Sequence, residues 1–138
     1  MRFLIAAPAS GSGKTTVTLG LLRAFAKDGQ NVSGAKSGPD YIDPRFHEAA
    51  CGRPCFNLDA WAMSPQRIRA LAQSGPLIVE GAMGIFDGAP PDGKGACADL
   101  AVILNLPVVL VVDAGRMAQS IAPIVQGFAQ FKPDVQIA

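Results

Sequence analysis

Hydrophobic positions along the chain form short continuous runs that alternate with stretches of helical spacing. The runs predict buried strands at 3–7, 32–36, 77–79 and 107–112. The helical spacing predicts helices from Thr15 to about Asp28, within 59–73 starting at Ser64 and ending before Gly75, over 97–104, and along 117–128. Strands that are apolar throughout and separated by helices predict an α/β fold with a mostly parallel sheet covered by helices on both faces.

Polar and glycine-rich segments follow these predicted strands. They occupy residues 8–16, 36–43, 80–87 and 113–116. In sheets of this kind, ligands bind outside the carboxyl ends of the strands. We therefore expect the functional site at that edge.

The first of these segments, PASGSGKTT, fits the phosphate-binding pattern G-x-x-x-x-G-K-[ST] except that Pro8 replaces the first glycine. Pro8 predicts a loop entrance that differs from that of the common GTPases. Glycines let backbone N–H groups turn toward a polyphosphate, and the helix N-terminus favours the same anion. The sequence predicts an ATP site that comprises Ser10, Gly11, Ser12, Gly13, Lys14, Thr15 and Thr16.

Acidic residues and a lysine follow the second and third predicted strands. Glu80 comes directly after the run 77–79, which favours a magnesium ligand at the sheet edge over a solvated loop carboxylate. The predicted ligands of Mg²⁺ are Thr15, Glu80 and Asp43. Asp40 and Asp43 could both face the phosphates, Lys36 precedes them in the same loop, and Asp87 lies in the loop around Glu80, although aspartates are common turn residues.

Other polar residues are less informative. Asp113 is either a further strand-end acid or the cap of a turn. His47 is the only histidine, and we expect a surface or packing role because no nucleophile accompanies it. Cys51, Cys55 and Cys97 are odd in number and lack the further ligands of a zinc site, so reduced packing thiols are expected.

Composition narrows the class of protein. Among 138 residues, 49% are hydrophobic and 17% are charged, which excludes global disorder. A net charge of +1 gives no field that would attract nucleic acid or an anionic membrane. The longest apolar stretch, 101–112, is too short to span a bilayer, and the N-terminal run continues into the phosphate loop rather than into a cleavage site. A cytoplasmic location is therefore expected.

Four segments together carry a specific resemblance. They are ASGSGKTTVTLGLLRA, KSGPDYIDPRFHEAACGRPCFNLDAW, VEGAMGIFDG and PVVLVVDAG. They resemble the ATP-binding, dethiobiotin-synthetase-like domain of the cobyrinic acid or hydrogenobyrinic acid a,c-diamide synthases. The resemblance implies ATP- and Mg²⁺-dependent amidation of two acetate side chains of a corrinoid polycarboxylate in cobalamin biosynthesis, through an acyl phosphate. It also implies that Lys36, Asp40, Asp43 and Asp87 lie between the nucleotide and the substrate carboxylate.

The chain is shorter than members of that family. Residues 1–138 contain no class I glutaminase domain, which in the family supplies ammonia from glutamine, and residues 135–138 look like the start of another strand. We therefore expect an incomplete amidoligase domain, truncated at the C-terminus and weak in ATP binding alone. A homodimer is one possible assembly of the chain. The alternatives are a dethiobiotin-synthetase-like carbamate-forming ligase and a partitioning-type ATPase switch, the latter disfavoured because Ala9 stands where those ATPases have a lysine.

Overall fold

Helices and strands alternate along the chain in a computed structural model that describes residues 1–72 and 74–138. The strands in this part of the chain are β1 (Arg2–Ala6), β2 (Ser33–Ser37), β3 (Phe56–Leu58), β4 (Leu77–Glu80) and β5 (Val108–Leu110). The helices are α1 (Lys14–Lys27), α2 (Asp43–Cys51), α3 (Pro65–Leu71), α4 (Cys97–Leu104) and α5 (Ile121–Phe131). None of the helices in the described ranges is long and apolar enough to cross a membrane.

The five strands form one sheet in the order β3-β2-β4-β1-β5, and every neighbouring pair is parallel. Residues 136–138 run alongside β5, where the N–H of Val108 donates to the carbonyl of Gln136 at 2.7 Å and Ile137 forms a parallel bridge. The predicted α/β fold with a parallel sheet is confirmed. Parallel pairing brings the carboxyl ends of β1, β2 and β4 to one edge.

Successive residues of the central strands pack into two apolar clusters. Leu77 and Val79 belong to a cluster that includes residues of α3 and α4, whereas Ile78 belongs to a second cluster that includes Leu22 of α1 and Cys51 of α2. Side chains alternate between the faces of a strand, so both faces of β4 are covered. This explains why the run 77–79 is apolar without interruption.

Several predicted boundaries are confirmed, and others are wrong. Helix α3 begins after Ser64, whose hydroxyl accepts a hydrogen bond from the N–H of Arg67 at 3.2 Å, as expected for an N-cap. The prediction within 59–73 extends to Gln73, which lies outside the described residues. The last predicted helix starts too early, because residues 113–120 form turns and irregular backbone and α5 begins at Ile121.

Two elements were not predicted as such. Helix α2 contains His47, for which only a surface or packing role was expected, and β3 has three residues, too few to show a hydrophobic period. The signals for α2 are a proline at its first turn and Gly52 in the left-handed conformation at its end, with φ of 71°. Between them, Pro44, His47 and Cys51 form a buried stripe at helical spacing.

Candidate functional site

A cleft of about 420 Å³ opens at the edge of the sheet where β1, β2 and β4 end. Its lining comes from the phosphate loop and α1, from the region of β2, and from the end of β4 and the loop after it. The lining residues are Ser10, Gly11, Gly13, Lys14, Thr15, Thr16, Lys36, Asp40, Glu80, Gly81, Ala82 and Met83. Three segments predicted to carry chemistry therefore meet in one cleft.

The phosphate loop depends on two glycines with left-handed backbone conformations. Gly11 has φ of 79° and Gly13 has φ of 91°, and Gly13 immediately precedes α1. Only glycine adopts such angles without strain, which explains the glycines at these two positions. Ser12 does not line the cleft, and its hydroxyl donates to the carbonyl of Ala9 at 3.0 Å.

The ammonium group of Lys14 is held by backbone carbonyls of two loops, the phosphate loop and the loop after β4. It donates to the carbonyl of Ala9 at 3.0 Å and to the carbonyl of Met83 at 2.7 Å. Burial lowers the pKa of Lys14 from its ordinary value, because the charged form loses solvation. A polyanion in the cleft would restore favourable interactions for this buried cation.

Glu80 is the centre of the polar network. It is fully buried, and its Oε1 accepts hydrogen bonds from the Thr15 hydroxyl at 2.5 Å and from Lys36 Nζ at 2.9 Å. Its Oε2 lies 2.7 Å from His47 Nε2. The interpretation of Glu80 as a solvated loop carboxylate is wrong, because its side chain is fully buried among residues of α1, β2 and α2.

Electrostatics keep this carboxylate ionised. Burial by itself would raise the pKa of Glu80, but hydrogen bonds from His47, Thr15 and Lys36 outweigh burial and lower the pKa to about 2. Lys36 behaves in the complementary way. Burial would lower the pKa of Lys36, yet its hydrogen bonds to Asp43 and Glu80 raise the pKa above its ordinary value.

Asp43 extends the network outward from Lys36. Its Oδ2 lies 2.6 Å from Lys36 Nζ, so this lysine bridges two carboxylates. Asp43 is the first residue of α2, which places its side chain beside the end of β2. The structure thus brings together Thr15, Lys36, Asp43 and Glu80.

Asp40 lies at the rim of the cleft and also shapes the turn before α2. Its Oδ1 accepts hydrogen bonds from the N–H groups of Ile42 at 2.8 Å and Asp43 at 2.9 Å. Burial would raise the pKa of Asp40, but these backbone hydrogen bonds lower it. Asp40 therefore combines the predicted position beside the cleft with the turn role that aspartates often have.

Asp87 and Asp113 have no hydrogen bond to the residues around Glu80, although the charge of Asp87 favours the charged form of Lys14. Asp87 Oδ2 accepts the N–H of Gly84 at 2.9 Å and lines a different, mostly apolar cleft with Phe86, Phe128 and Phe131. The exposed carboxylate of Asp113 accepts the N–H of Gly115 at 2.8 Å, so the turn-cap alternative is the correct one. Neither residue joins the carboxylates around Lys36.

His47 is the site residue that sequence reasoning missed. The expected surface role is wrong, because the side chain is fully buried, and the expected packing role did not include its contact with Glu80. The stripe of Pro44, His47 and Cys51 on α2 predicts a buried position. It does not identify the partner, because Glu80 lies 33 residues away in sequence.

Thr15 of α1 and Glu80 at the end of β4 offer oxygen atoms that suit a hard divalent cation such as Mg²⁺. The Thr15 hydroxyl oxygen and Glu80 Oε1 are adjacent, and the carboxylate is ionised at neutral pH. Asp43, also a predicted ligand, is engaged with Lys36. Within residues 1–72 and 74–138, no group of three or more histidine, cysteine or acidic side chains is arranged to hold a metal alone. These oxygens therefore suit a cation that takes its remaining ligands from phosphates and water.

Comparison with known proteins agrees with this geometry. Residues 3–138 match the CobQ/CobB/MinD/ParA nucleotide-binding domain. The chain belongs to this family. Its phosphate loop and the cleft around Glu80 are therefore parts of a CobQ/CobB/MinD/ParA nucleotide-binding domain.

Several curated relatives of this chain are named hydrogenobyrinate a,c-diamide synthases. The protein from Brucella anthropi is 61% identical over 99% of this chain and 32% of its own length. The proteins from a Sinorhizobium species and from Mesorhizobium japonicum are 57% and 51% identical, again over 32% of their lengths. The resemblance stated from the sequence is confirmed, and the chain spans about a third of the length of these curated relatives.

Proposed function

We propose that this chain is the ATP-binding part of an enzyme that converts the a and c acetate carboxylates of hydrogenobyrinic or cobyrinic acid into amides. The observation that carries the proposal is the 61% identity, over 99% of the chain, to a hydrogenobyrinate a,c-diamide synthase. The cleft supports it, because a phosphate loop and a buried ionised network lie at the same sheet edge.

The proposed reaction has two displacements. A substrate carboxylate oxygen attacks the γ-phosphorus of ATP and ADP leaves, which gives an acyl phosphate. Ammonia then attacks the acyl carbon, the C–O bond to phosphate breaks, and the nitrogen loses one proton to yield the amide and inorganic phosphate. Such phosphoryl transfer requires positioning and charge neutralisation rather than a protein nucleophile. The described residues offer that kind of site.

We assign the nucleotide side of the cleft to Lys14, Thr15 and the N–H groups at the start of α1. Phosphate oxygens would compete with the carbonyls of Ala9 and Met83 for the Lys14 ammonium. A magnesium ion held by Thr15 and Glu80 would supply further neutralisation of phosphate charge. Lys36 is charged and lines the cleft, which suits contact with a phosphate or with the reacting carboxylate.

Roles for the three aspartates follow from their positions. Asp43 would keep Lys36 oriented, because their side chains are 2.6 Å apart. Asp40 would act at the rim of the cleft. Asp87 lines the neighbouring apolar cleft and its charge favours the charged form of Lys14, so it would act between the nucleotide and a substrate that extends there. Ammonia would come from glutamine through a glutaminase domain of the whole protein, in the cytoplasm.

The test uses the complete gene product that contains this chain, with ATP, Mg²⁺ and ¹⁵N-ammonium as the nitrogen donor. Mass spectrometry should detect two labelled amides on hydrogenobyrinic or cobyrinic acid, and omission of ATP should abolish them. Lys14→Ala should prevent product formation, whereas Asp92→Asn, at an exposed loop position, should leave it unchanged. Intact ATP binding without amidation of either corrinoid would contradict the proposal. Turnover of diaminopelargonic acid instead would favour the carbamate-forming alternative.

A further inference from the structure

His47 reaches the site because α2 packs unusually closely against β2. A Cβ atom at Gly34 of β2 would lie 2.9 Å from the Cβ of His47 and 3.1 Å from Cys55 Sγ. Only a glycine at that position permits this approach without a shift of its neighbours. The imidazole is thereby brought beneath the carboxylate of Glu80, on the side away from the cleft, and His47 does not line the cleft.

The two oxygens of Glu80 have separate partners. Oε1 faces Thr15 and Lys36, both of which line the cleft. Oε2 faces only His47 among the described side chains, at 2.7 Å. His47 thus binds Oε2, whereas Oε1 lies on the side of the cleft where a cation and phosphates would bind.

The imidazole makes a hydrogen bond through only one of its two nitrogens in this position. His47 Nδ1 is the only buried side-chain nitrogen or oxygen, among residues 1–72 and 74–138, that has no hydrogen-bond partner. A tautomer with hydrogen on Nε2 donates to Glu80 and leaves no buried N–H without an acceptor. The orientation of the ring is therefore explained by its bond to Glu80 and not by hydrogen bonding at its other nitrogen.

We propose that His47 is a positioning residue for the cation site of this domain, and that it restricts Glu80 to presenting Oε1 alone. The inference rests on the proposed function, in which Thr15 and Glu80 hold the divalent cation. Hydrogen-bond donors behind a ligating group commonly fix its orientation, and their loss weakens metal binding by about tenfold or more. Without His47, Oε2 loses its donor and the carboxylate is free to turn both oxygens toward Lys36.

Three substitutions of His47 and one control substitution, all made in the complete gene product, test this role. His47→Leu removes the donor and keeps an apolar side chain, whereas His47→Gln places an amide N–H the same number of bonds from Cα as Nε2. His47→Asn is also polar but too short to reach Glu80. Cys51→Ala perturbs the same buried face of α2, one turn further on, without contacting Glu80, so it controls for loss of packing.

The principal measurement is the affinity for Mn²⁺ in the presence of ATP, determined by electron paramagnetic resonance. Affinity for ATP in EDTA and the melting temperature are measured alongside. We expect His47→Leu and His47→Asn to weaken Mn²⁺ binding on the order of tenfold. His47→Gln should stay close to the unsubstituted protein, ATP binding in EDTA should not change, and Cys51→Ala should lower only the melting temperature. If His47→Leu does not fold, the comparison of the asparagine and glutamine variants decides.

The inference is overturned if His47→Asn binds Mn²⁺ as tightly as His47→Gln, or if Cys51→Ala weakens Mn²⁺ binding as much as the histidine variants do. Corrinoid amidation is assayed separately. Loss of Mn²⁺ affinity in the His47 variants of a protein that does not amidate corrinoids would support this inference and refute the proposed substrate. Normal amidation with unchanged Mn²⁺ affinity in the His47 variants would support the proposed substrate and refute the positioning role of His47.

Discussion

Replacement of Glu80 by glutamine should reveal how much the buried network contributes to folding. The carboxylate accepts hydrogen bonds from Thr15 and Lys36 on one oxygen and is bonded to His47 on the other. A glutamine amide has one accepting oxygen and one donating NH₂ group, so it cannot accept on both sides. Glu80→Gln therefore leaves at least one buried donor opposite another donor, or forces His47 to change its tautomer.

The magnitude follows from the pKa of Glu80, which folding lowers from an ordinary value of 4.5 to about 2. At about 1.4 kcal/mol per pKa unit, this difference corresponds to about 3 kcal/mol of stability near neutral pH. Because the folded-state pKa is the lower one, this stability is present above about pH 5 and is lost as the pH falls toward 2. Roughly 2 kcal/mol of it should have disappeared by about pH 3.

Urea unfolding of the 138-residue chain and of its Glu80→Gln variant, at about pH 7 and about pH 3, measures this contribution. The free energy of unfolding of the variant should be lower by about 3 kcal/mol at neutral pH, and the gap should narrow to about 1 kcal/mol at the acidic pH. Asp92→Asn, at an exposed position, serves as a control for removal of a carboxylate. A gap of equal size at both pH values would refute the electrostatic reasoning and leave only a packing effect.

Four further substitutions separate packing, capping and charge, each measured by urea or thermal unfolding. Gly34→Ala should destabilise the fold by about 1–3 kcal/mol because its Cβ would meet that of His47 at 2.9 Å. Gly20→Ala, with open space around it, should stabilise α1 by about 0.5–1 kcal/mol. Equal effects of the two substitutions on the free energy of unfolding would contradict the close approach of α2 to the sheet. Ser64→Ala should cost about 1 kcal/mol through loss of the N-cap of α3, and an unchanged midpoint would exclude that cap. Lys36→Met should cost about 3 kcal/mol or more because two carboxylates lose their shared cation, and a neutral effect would show that the ion pairs contribute nothing net.

The parts of the site that the sequence predicts are those with local signals. The glycines of the phosphate loop are required by left-handed backbone angles, and the spacing to Lys14 and Thr15 is fixed within a few residues. The rule that ligands bind at the carboxyl ends of parallel strands then selected Glu80. No tertiary contact is needed for either inference.

The parts that were missed depend on contacts between distant segments. His47 contacts Glu80 only because Gly34 lets α2 approach the sheet closely. A glycine in a short strand does not indicate which side chain packs against it. The hydrogen bond of Asp87 to the N–H of Gly84 also depends on the path of an irregular loop. Residue spacing along the chain carries no information about such a path.

The wide sequence separation of the partners of Glu80 has a consequence for the order of folding. Its hydrogen bonds to Thr15, Lys36 and His47 span 65, 44 and 33 residues. Contacts of this range form only after large loops have closed, and parallel sheets require such closures throughout. Isolated segments of the chain cannot assemble the donors around this carboxylate. The acidity of Glu80 is therefore a property of the completed topology, and it should be acquired only when β1, β2 and β4 have paired and α2 has docked.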